Sequence, residues 1–235
     1  MKVLIEGKEL PEQVFQAGMV RILYDPDRID VVSPEWLRPA FWRQRRAVLA
    51  EFAGRGKALA VDSSAGPAVL RRYLRGGLIA RVISDRYFFT GYDRSRSFRE
   101  WRLLARLSRL GLPVPRPLVA SCERLGTSYR AALMTRLIGP AMSLTETGDS
   151  LDRTSWRRLG LTLSEFFKAG VVHADLNASN LLIDDQGQWH VIDFDRGRLG
   201  SGPANPAPML RRLFRSLDKH GIEGCRDLLV QSVGL

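Results

Sequence analysis

The sequence predicts an α+β fold of two lobes: an N-terminal antiparallel sheet with one helix, and a mainly helical C-terminal lobe. Two observations lead to this prediction. The first half of the chain carries short apolar runs separated by glycine-containing turns and then one amphipathic helix, whereas the second half carries helices around a small hairpin. At 235 residues, with 45% hydrophobic and 26% charged residues, the chain has the length and composition of two small globular lobes.

The sheet is predicted from residues 48–82. The apolar runs there are only a few residues long, and GRG, SSAGP and RGG separate them, which is typical of strands joined by tight turns. The segment TSYRAALMTRLIGP predicts a further strand that leads into a connector at residues 134–139. This connector is the expected joint between an N-terminal lobe of residues 1–138 and a C-terminal lobe of residues 139–235.

Two helices are predicted because apolar residues recur there every three or four positions. The apolar face of the first consists of Phe98, Trp101, Leu103, Leu104, Leu107 and Leu110. Gly111 and Pro113 predict its end. The apolar face of the second consists of Trp156, Leu159, Leu163, Phe166 and Phe167. Gly170 predicts the end of this second helix.

The C-terminal part then alternates between short elements. LLID and WHVID, joined by a turn at DQG, predict a hairpin. GPANPAP predicts a proline-rich loop, and MLRRLFRSL predicts the start of a closing helix.

Positive charge is concentrated in one region. The formal net charge is +11, yet residues 38–109 contain 17 Lys and Arg against 5 Asp and Glu, a net +12. Such a block predicts an anionic partner: a nucleic acid, a phosphorylated ligand or an acidic membrane surface. A solvated arginine surface without a partner is the alternative.

Other sequence features argue against export and against a metal or disulfide framework. The early charges of MKVLIEGKELPEQ do not fit a signal peptide, and no run reaches the roughly 18 apolar residues of a spanning helix, so we expect a cytoplasmic protein. Cys122 and Cys225 lack the spacing of a disulfide framework or a zinc site, and we expect both to be reduced.

The segment VVHADLNASNLLIDD contains a motif with chemical meaning. His173, Asp175 and Asn180 have the spacing H-x-D-x-x-x-x-N of the protein-kinase catalytic loop, and Asp193 follows the hairpin where a kinase carries a metal-binding Asp. Phosphoryl transfer needs a cation to neutralise the phosphates and a carboxylate to orient the acceptor hydroxyl. We therefore expect Asp175 to be catalytic, Asn180 and Asp193 to bind Mg²⁺, and His173 to hold the loop by hydrogen bonds.

Three other interpretations of this loop are open. Asp and Asn are common in turns, so the segment could be only a loop. A calcium-binding loop would need Gly where Asn180 stands and Glu where Gln186 stands. A metal site made of His173, His190 and Asp193 is possible but lacks a recognised spacing.

The N-terminal lobe offers candidates for nucleotide binding. AVLRRY occupies the place of the kinase strand that carries a phosphate-contacting Lys, and alternation favours Arg71 for that role over its neighbour Arg72. Glu100 is the expected partner of this arginine, unless it is an ordinary surface carboxylate of its helix.

Two further nucleotide contacts are predicted. Gly54 and Gly56, in AGRGK, could form a turn over the phosphates. Met134, Thr135 and Leu137 would offer backbone groups to adenine.

Several segments together resemble the lipopolysaccharide core kinase family of Gram-negative bacteria, most closely its members that act on the sugar 3-deoxy-D-manno-octulosonic acid (Kdo). They are VLRRYLRGGLIARVISDRYFFTG, GLPVPRPL, HADLNASNLLID and VIDFDRGR, and they extend over about residues 69–198. The resemblance implies a two-lobed protein-kinase-like fold with ATP and Mg²⁺ as cofactors. It also implies transfer of phosphate to the 4-hydroxyl of the Kdo sugar on Kdo-lipid A, with peripheral contact to the cytoplasmic face of the inner membrane.

Polyanionic lipid A would suit the basic block. Fewer than 45 residues follow Asp193 and they contain no A-P-E, so we expect no protein substrate. Asp195 stands where a protein kinase has the Gly of Asp-Phe-Gly, and we therefore expect a constitutively active enzyme. Arg94, Arg96, Arg198 and the GPANPAP loop are candidates for lipid or sugar contacts.

Rival functions fall into three classes. The nearest is a kinase of a core heptose or of a soluble small molecule such as an aminoglycoside. A nucleic-acid binder would fit the pI of about 10.4, but Phe98 and Trp101 lie on the core face of their helix rather than forming a stacking platform, so we expect no nucleic acid partner. A pseudokinase would be favoured by loss of Asp175, Asn180 or Asp193, and all three are present.

Overall fold

The computed structural model describes residues 12–52, 58–74 and 85–234. The chain folds into two compact units. The first unit comprises Met1–Arg109 and Arg116–Leu137, and the second comprises Leu110–Pro115 and Ile138–Leu235. Strands dominate the first unit and helices the second, so the predicted α+β fold class is confirmed.

The first unit is built on an eight-stranded antiparallel sheet. Its strands are β1 (Gln13–Ala17), β2 (Val20–Tyr24), β3 (Val48–Phe52), β4 (Ala58–Ser63), β5 (Gly66–Arg72), β6 (Tyr87–Phe88), β7 (Pro117–Leu125) and β8 (Ser128–Arg136). They are ordered β1-β2-β7-β8-β5-β4-β3, and β6 also pairs with β8. The described part of this unit also contains the helices α1 (Pro39–Gln44) and α2 (Arg96–Arg109).

The predicted strand meander is confirmed where the structure describes it. β3, β4 and β5 pair in sequence order, with Leu59 opposite Leu70 in the register of β4 and β5. Residues 75–82, which the prediction included, lie outside the described residues. β5 also pairs with β8, which places both strands in the middle of the sheet.

Helix α2 covers one face with the predicted apolar residues. Phe98, Trp101, Leu104 and Leu107 are each at most 1% exposed, and burial of such a side chain contributes roughly 1.5–3 kcal/mol. Leu110 was wrongly assigned to this face. It is 44% exposed, because α2 ends at Arg109 and the chain turns there.

The second unit contains four helices and five short strands. The helices are α3 (Leu144–Thr147), α4 (Arg153–Lys168), α5 (Ala207–Lys219) and α6 (Arg226–Val233). The strands are β9 (Ala141–Ser143), β10 (Val171–Val172), β11 (Leu181–Asp184), β12 (Trp189–Val191) and β13 (Arg198–Leu199). β12, β11 and β9 form a three-stranded sheet, whereas β10 pairs with β13.

Helix α4 is the central helix of the second unit. The carboxylate of Asp152 caps its start by accepting the Ser155 N–H at 2.8 Å, and Gly170, with φ +84°, follows its end in the left-handed conformation that glycine favours. The five predicted core residues of α4 are all buried. At Gly160, an added Cβ would lie 2.6 Å from Ser232 Cβ, so the missing side chain allows α6 to pack closely.

The predicted hairpin is formed by β11 and β12. Gly187 has φ +74° in its turn, and the carboxylate of Asp184 accepts the N–H groups of Gln186 (3.0 Å) and Gln188 (2.8 Å). The hairpin fixes the spacing between the residues that precede β11 and those that follow β12.

Both cysteines are free, as predicted. Cys122 lies in the core of the sheet, and burial raises the pKa of its thiol to about 12. Its sulfur is therefore uncharged at neutral pH and is neither a nucleophile nor a metal ligand.

None of the helices in the described ranges is long and apolar enough to cross a lipid bilayer.

Candidate active site

The loop of residues 173–180, called the 173–180 loop below, connects β10 to β11 in the second unit. His173 is 4% exposed and cross-links it. Its Nδ1 accepts the N–H of Asp175 at 3.1 Å, so its Nε2 carries the proton and donates to the carbonyl of Ile192 at 3.0 Å. Burial lowers the pKa of His173, although the carbonyl of Ile192 and two nearby carboxylates act in the opposite direction. The neutral imidazole therefore ties the loop to the segment after β12, in the structural role that we expected for it.

An aromatic contact fixes the same segment. The ring of Phe194 is buried and lies edge-on against His173, with centroids 4.7 Å apart, and stacks on Phe166 of α4 at 6.1 Å. Asp193 is thus held between the hydrogen bond at Ile192 and the packed ring of Phe194.

Asp175 is exposed at the surface of the loop, and two asparagines hold its peptide group. The Nδ2 of Asn180 donates to the Asp175 carbonyl at 2.9 Å, and the Nδ2 of Asn177 lies 3.2 Å from both that carbonyl and the carboxylate Oδ2. Asn177 also accepts the N–H of Asn180 at the start of a short 3₁₀ turn. This role of Asn177 was not predicted from the sequence, although Asn side chains are known to bond the backbone of the residues that follow them in turns.

Asn180 and Asp193 lie near each other because the hairpin joins them. β11 and β12 pair Leu181 with Val191, and beyond this pair the N–H of Ile192 donates to the Asn180 carbonyl at 3.0 Å. Asp193 follows Ile192 and has φ +61°, a left-handed conformation that costs a non-glycine residue on the order of 1–3 kcal/mol. Strained residues that the fold nevertheless retains are frequent at functional sites.

The donor atoms of Asn180 and Asp193 fit a hard cation. The Asn180 amide nitrogen donates to the Asp175 carbonyl, so its Oδ1 is the candidate ligand atom, and Asp193 offers a carboxylate. In the parts of the chain that the structure describes, no three His, Cys, Asp or Glu side chains form a metal cluster. A protein-only metal site of His173, His190 and Asp193 is therefore wrong; His190 instead lies 2.8 Å from Asp184 Oδ2. Two oxygen ligands suit a cation that takes its remaining ligands from phosphates and water.

Helix α5 supports the 173–180 loop through two hydrogen bonds. Its Met209 Sδ accepts the N–H of His173 at 3.2 Å, and its Ser216 Oγ accepts the N–H of Ala178 at 3.1 Å. The proline-rich segment that precedes α5 and the start of this helix were predicted, but these two loop contacts were not.

The first unit contains a buried ion pair between β5 and α2. Arg71 Nη2 lies 2.5 and 2.6 Å from the two carboxylate oxygens of Glu100, and the Tyr73 hydroxyl donates to Oε2 at 2.5 Å. Glu100 is 3% exposed, so its interpretation as an ordinary surface carboxylate is wrong. Arg72, the next residue of β5, points to the opposite face of the sheet and pairs with Asp85 at 3.0 Å.

The remaining predicted nucleotide contacts differ in how the structure places them. Met134 and Thr135 are buried in β8, between β7 and β5. The N–H of Leu137 donates to the Pro67 carbonyl at 3.0 Å, so adenine could receive this N–H only if that bond broke. Gly54 and Gly56 lie outside the described residues.

The three predicted lipid- or sugar-contacting arginines have different surroundings. Arg96 packs its guanidinium over the ring of Tyr87, 4.7 Å from the centroid, and so has a structural function in the first unit. Arg94 in the first unit and Arg198 in the second are exposed.

Comparison with known proteins agrees with this geometry. Residues 39–224 match the model of the lipopolysaccharide kinase (Kdo/WaaP) family. A 3-deoxy-D-manno-octulosonic acid kinase of Xylella fastidiosa strain 9a5c is 46% identical over 202 residues, 84% of this chain and 80% of the relative. Proteins of the same name from Stenotrophomonas maltophilia strain R551-3 and Xanthomonas axonopodis pv. citri strain 306 are 41% and 43% identical, over 86% of this chain and 82% of each relative. The chain therefore belongs to the lipopolysaccharide kinase (Kdo/WaaP) family, whose members are phosphotransferases that act on a hydroxyl group.

Proposed function

We propose that the chain transfers the γ-phosphoryl group of ATP to the 4-hydroxyl of the Kdo sugar on Kdo-lipid A. The names of its relatives support the acceptor sugar, and its family supports the use of ATP. The observation that carries the proposal is the 173–180 loop, where the exposed carboxylate of Asp175 is fixed by Asn177 and lies in the same hydrogen-bond network as Asn180.

In the proposed reaction, Asp175 orients the acceptor hydroxyl and receives its proton as the oxygen attacks the γ-phosphorus, while the bond from the γ-phosphorus to the β,γ-bridging oxygen breaks and ADP leaves. The carboxylate oxygen Oδ2 of Asp175 accepts a hydrogen bond from Asn177, which limits rotation of the side chain. Positioning of this kind is the main contribution that a protein makes to phosphoryl transfer.

Asn180 and Asp193 would hold Mg²⁺, which when bound neutralises phosphate charge. Asn180 offers Oδ1, because its nitrogen is committed to the Asp175 carbonyl. The same amide thereby links the cation ligand to the residue that orients the acceptor.

In the first unit, Arg71 would contact the phosphates of ATP. Glu100 pairs with one nitrogen of its guanidinium, Tyr73 donates a hydrogen bond to Glu100, and the Arg71 side chain keeps 24% of its surface exposed. A guanidinium is permanently charged, and its planar fork of N–H donors matches the geometry of phosphate oxygens. The further nucleotide contacts that we propose are Gly54, Gly56, Met134, Thr135 and Leu137. For Leu137 the carbonyl group is the favoured contact, because its N–H already donates to the Pro67 carbonyl.

The basic region of residues 38–109 would bring the enzyme to its substrate. Its net charge of +12 suits the anionic lipids of the cytoplasmic face of the inner membrane, and each basic residue near such a surface contributes about 1 kcal/mol. We propose peripheral contact of this kind, with no nucleic acid and no protein substrate.

A phosphate-transfer assay tests the proposal. Labelled ATP and Mg²⁺ would be offered with Kdo-bearing lipid A, with lipid A lacking Kdo, and with a heptose-bearing core acceptor, with Asp193→Ala as the blank. We expect label only in the Kdo-bearing lipid, and nuclear magnetic resonance of the product should place it on the 4-hydroxyl. Label in the heptose acceptor alone would replace the proposed substrate, and label on another Kdo hydroxyl would replace the proposed position.

A further inference from the structure

Helix α5 contacts the 173–180 loop along one side, and an arginine lies within that side. Met209 and Ser216 make the two hydrogen bonds to the loop. Arg212 is three residues after Met209 and four before Ser216, so the three side chains lie in one row along the helix. Arg212 therefore belongs to the side of α5 that faces the loop carrying Asp175.

Two more arginines adjoin Arg212 on the outer side of α5. Arg211 and Arg215 are exposed, Arg212 is half-buried, and all three line one surface pocket. The pocket also contains Asp218, but this carboxylate pairs with Arg226 at 2.7 Å. Among the described residues, no carboxylate lies within ion-pair distance of the three arginines.

The electrostatics of the loop agree with this placement. Burial is the main cause of the lowered pKa of His173, and the positive charge of Arg212 lowers that pKa further.

The acceptor named in the relatives is a sugar acid, so it carries a carboxylate as well as the hydroxyl that receives phosphate. Its approach to the carboxylate of Asp175 is opposed by like charge unless a cation compensates. An arginine can bind a carboxylate through two parallel N–H···O bonds, which fixes orientation as well as position.

We propose that Arg212, flanked by Arg211 and Arg215, binds the carboxylate of the acceptor sugar acid and so positions its hydroxyl at Asp175. The site rests on the proposed function, since it assigns the residues that recognise the proposed acceptor. It is a site of acceptor specificity, distinct from the cation ligands Asn180 and Asp193.

The test compares an acceptor with a free carboxylate and its methyl ester, using wild-type protein, Arg212→Gln, Arg212→Lys and the control Arg157→Gln. Arg157 is an exposed arginine of α4 outside the pocket. Loss of a charged hydrogen-bonded contact is expected to raise KM for the free acid about tenfold to a hundredfold in Arg212→Gln. The ester should show nearly the same KM in this variant and in wild type. Arg212→Lys keeps the charge without the planar fork, so its KM for the acid should lie between the two.

Binding is measured separately, by calorimetric titration of the free sugar acid and of its methyl ester without ATP. We expect weaker binding of the acid, but not of the ester, in Arg212→Gln, with an unchanged melting temperature. This measurement does not need turnover. Wild-type protein that binds the acid without transferring phosphate would therefore overturn the proposed reaction and leave the carboxylate site standing.

Three results would overturn the carboxylate site. The first is an equal rise in KM for the acid and the ester in Arg212→Gln. The second is the same small change in KM for the acid in Arg212→Gln and in Arg157→Gln. The third is a loss that appears only on vesicles containing phosphatidylglycerol and not in neutral detergent micelles, because the arginines would then bind bilayer phosphates.

Discussion

At the scale of single residues, Asp175 has a role that can be separated from nucleotide binding. Asp175→Ala should lower the rate of phosphate transfer by about 10²–10⁴-fold, the usual contribution of a general base, because the acceptor hydroxyl loses the group that orients it. The backbone carbonyl that accepts Asn180 Nδ2 remains in this variant, so the loop geometry and the Kd for ATP should change little. Transfer rates and a fluorescent-nucleotide titration measure the two quantities.

Asn177→Ala provides the matched comparison at the same site. It removes the hydrogen bonds of Asn177 to Asp175 and to the N–H of Asn180 but keeps the Asp175 carboxylate, so we expect a smaller loss of about tenfold. Turnover of Asp175→Ala comparable to that of Asn177→Ala would remove the assigned role of Asp175.

His173 should make the stability of the protein depend on pH. Its pKa is lowered by burial in the folded protein, whereas the unfolded chain titrates near 6.5. Below pH 6.5 the unfolded state therefore binds more protons than the folded state. The free energy of unfolding should decrease by up to about 1.4 kcal/mol for each pH unit by which the pH is lowered below 6.5, and should be unaffected by His173 above it. Urea denaturation of the nucleotide-free protein between pH 5.5 and 8 measures this slope.

The control for this pH dependence is His220, which is exposed at the end of α5. His173→Gln should flatten the slope below pH 6.5, and His220→Gln should leave it as in wild type. An unchanged slope in His173→Gln would show that other groups cause the acid destabilisation.

At the scale of elements, the contact between β5 and α2 should set both stability and nucleotide affinity. Glu100→Gln replaces a buried carboxylate that pairs with Arg71 and accepts from Tyr73, so we expect a loss of about 2 kcal/mol in the free energy of unfolding. KM for ATP should rise about tenfold if Arg71 contacts the phosphates. Thermal denaturation and steady-state kinetics measure the two effects.

Arg72→Gln is the matched control on the same strand. Arg72 pairs with Asp85 and its side chain is 39% exposed, so its loss should cost at most about 1 kcal/mol and leave KM for ATP unchanged. A rise in KM for Arg72→Gln, with none for Glu100→Gln, would move the phosphate contact to Arg72.

Helices and strands could be predicted from the sequence where buried apolar residues recur at a regular spacing. Helices α2 and α4 were found because their apolar residues recur with the helical repeat, and the hairpin of β11 and β12 because a glycine turn separates two apolar runs. Strand β1 gave no such signal, since four of its five residues are exposed. Strand β7 is buried on both faces over its first six residues, so polar and apolar positions do not alternate along it.

The proposed catalytic and cation-binding residues could be selected from the sequence for a different reason. The spacing of Asp175 and Asn180, and the position of Asp193 after the hairpin, form a motif that is local in sequence and matches the residue types that phosphoryl transfer uses. The support from Met209 and Ser216 is not local, because these residues contact loop positions 36 and 38 residues earlier in the chain. Only the folded second unit shows which side of α5 meets the loop.

At the scale of the whole molecule, the positive charge is unevenly distributed, and some arginines of α2 are exposed whereas another is neutralised by carboxylates. The outer side of α2 carries Arg99 and Arg106, both exposed and seven residues apart, hence on one face of the helix. Arg102 lies between them, but Glu12 and Asp93 neutralise it at 2.9 Å. Arg99 and Arg106 are therefore the α2 residues best able to interact with an anionic surface.

We expect the protein to bind vesicles that contain phosphatidylglycerol and to leave them as salt is added, because charge attraction is screened over about 10 Å at 0.1 M salt. Arg99→Gln and Arg106→Gln should each weaken binding about fivefold, since each charge contributes about 1 kcal/mol. Arg153→Gln, at an exposed position of α4 in the second unit, is the control and should have a smaller effect. Vesicle sedimentation measures the partition coefficient. Equal weakening by all three substitutions would mean that net charge, rather than the face of α2, governs binding, and binding that persists at 1 M salt would mean that apolar contact does.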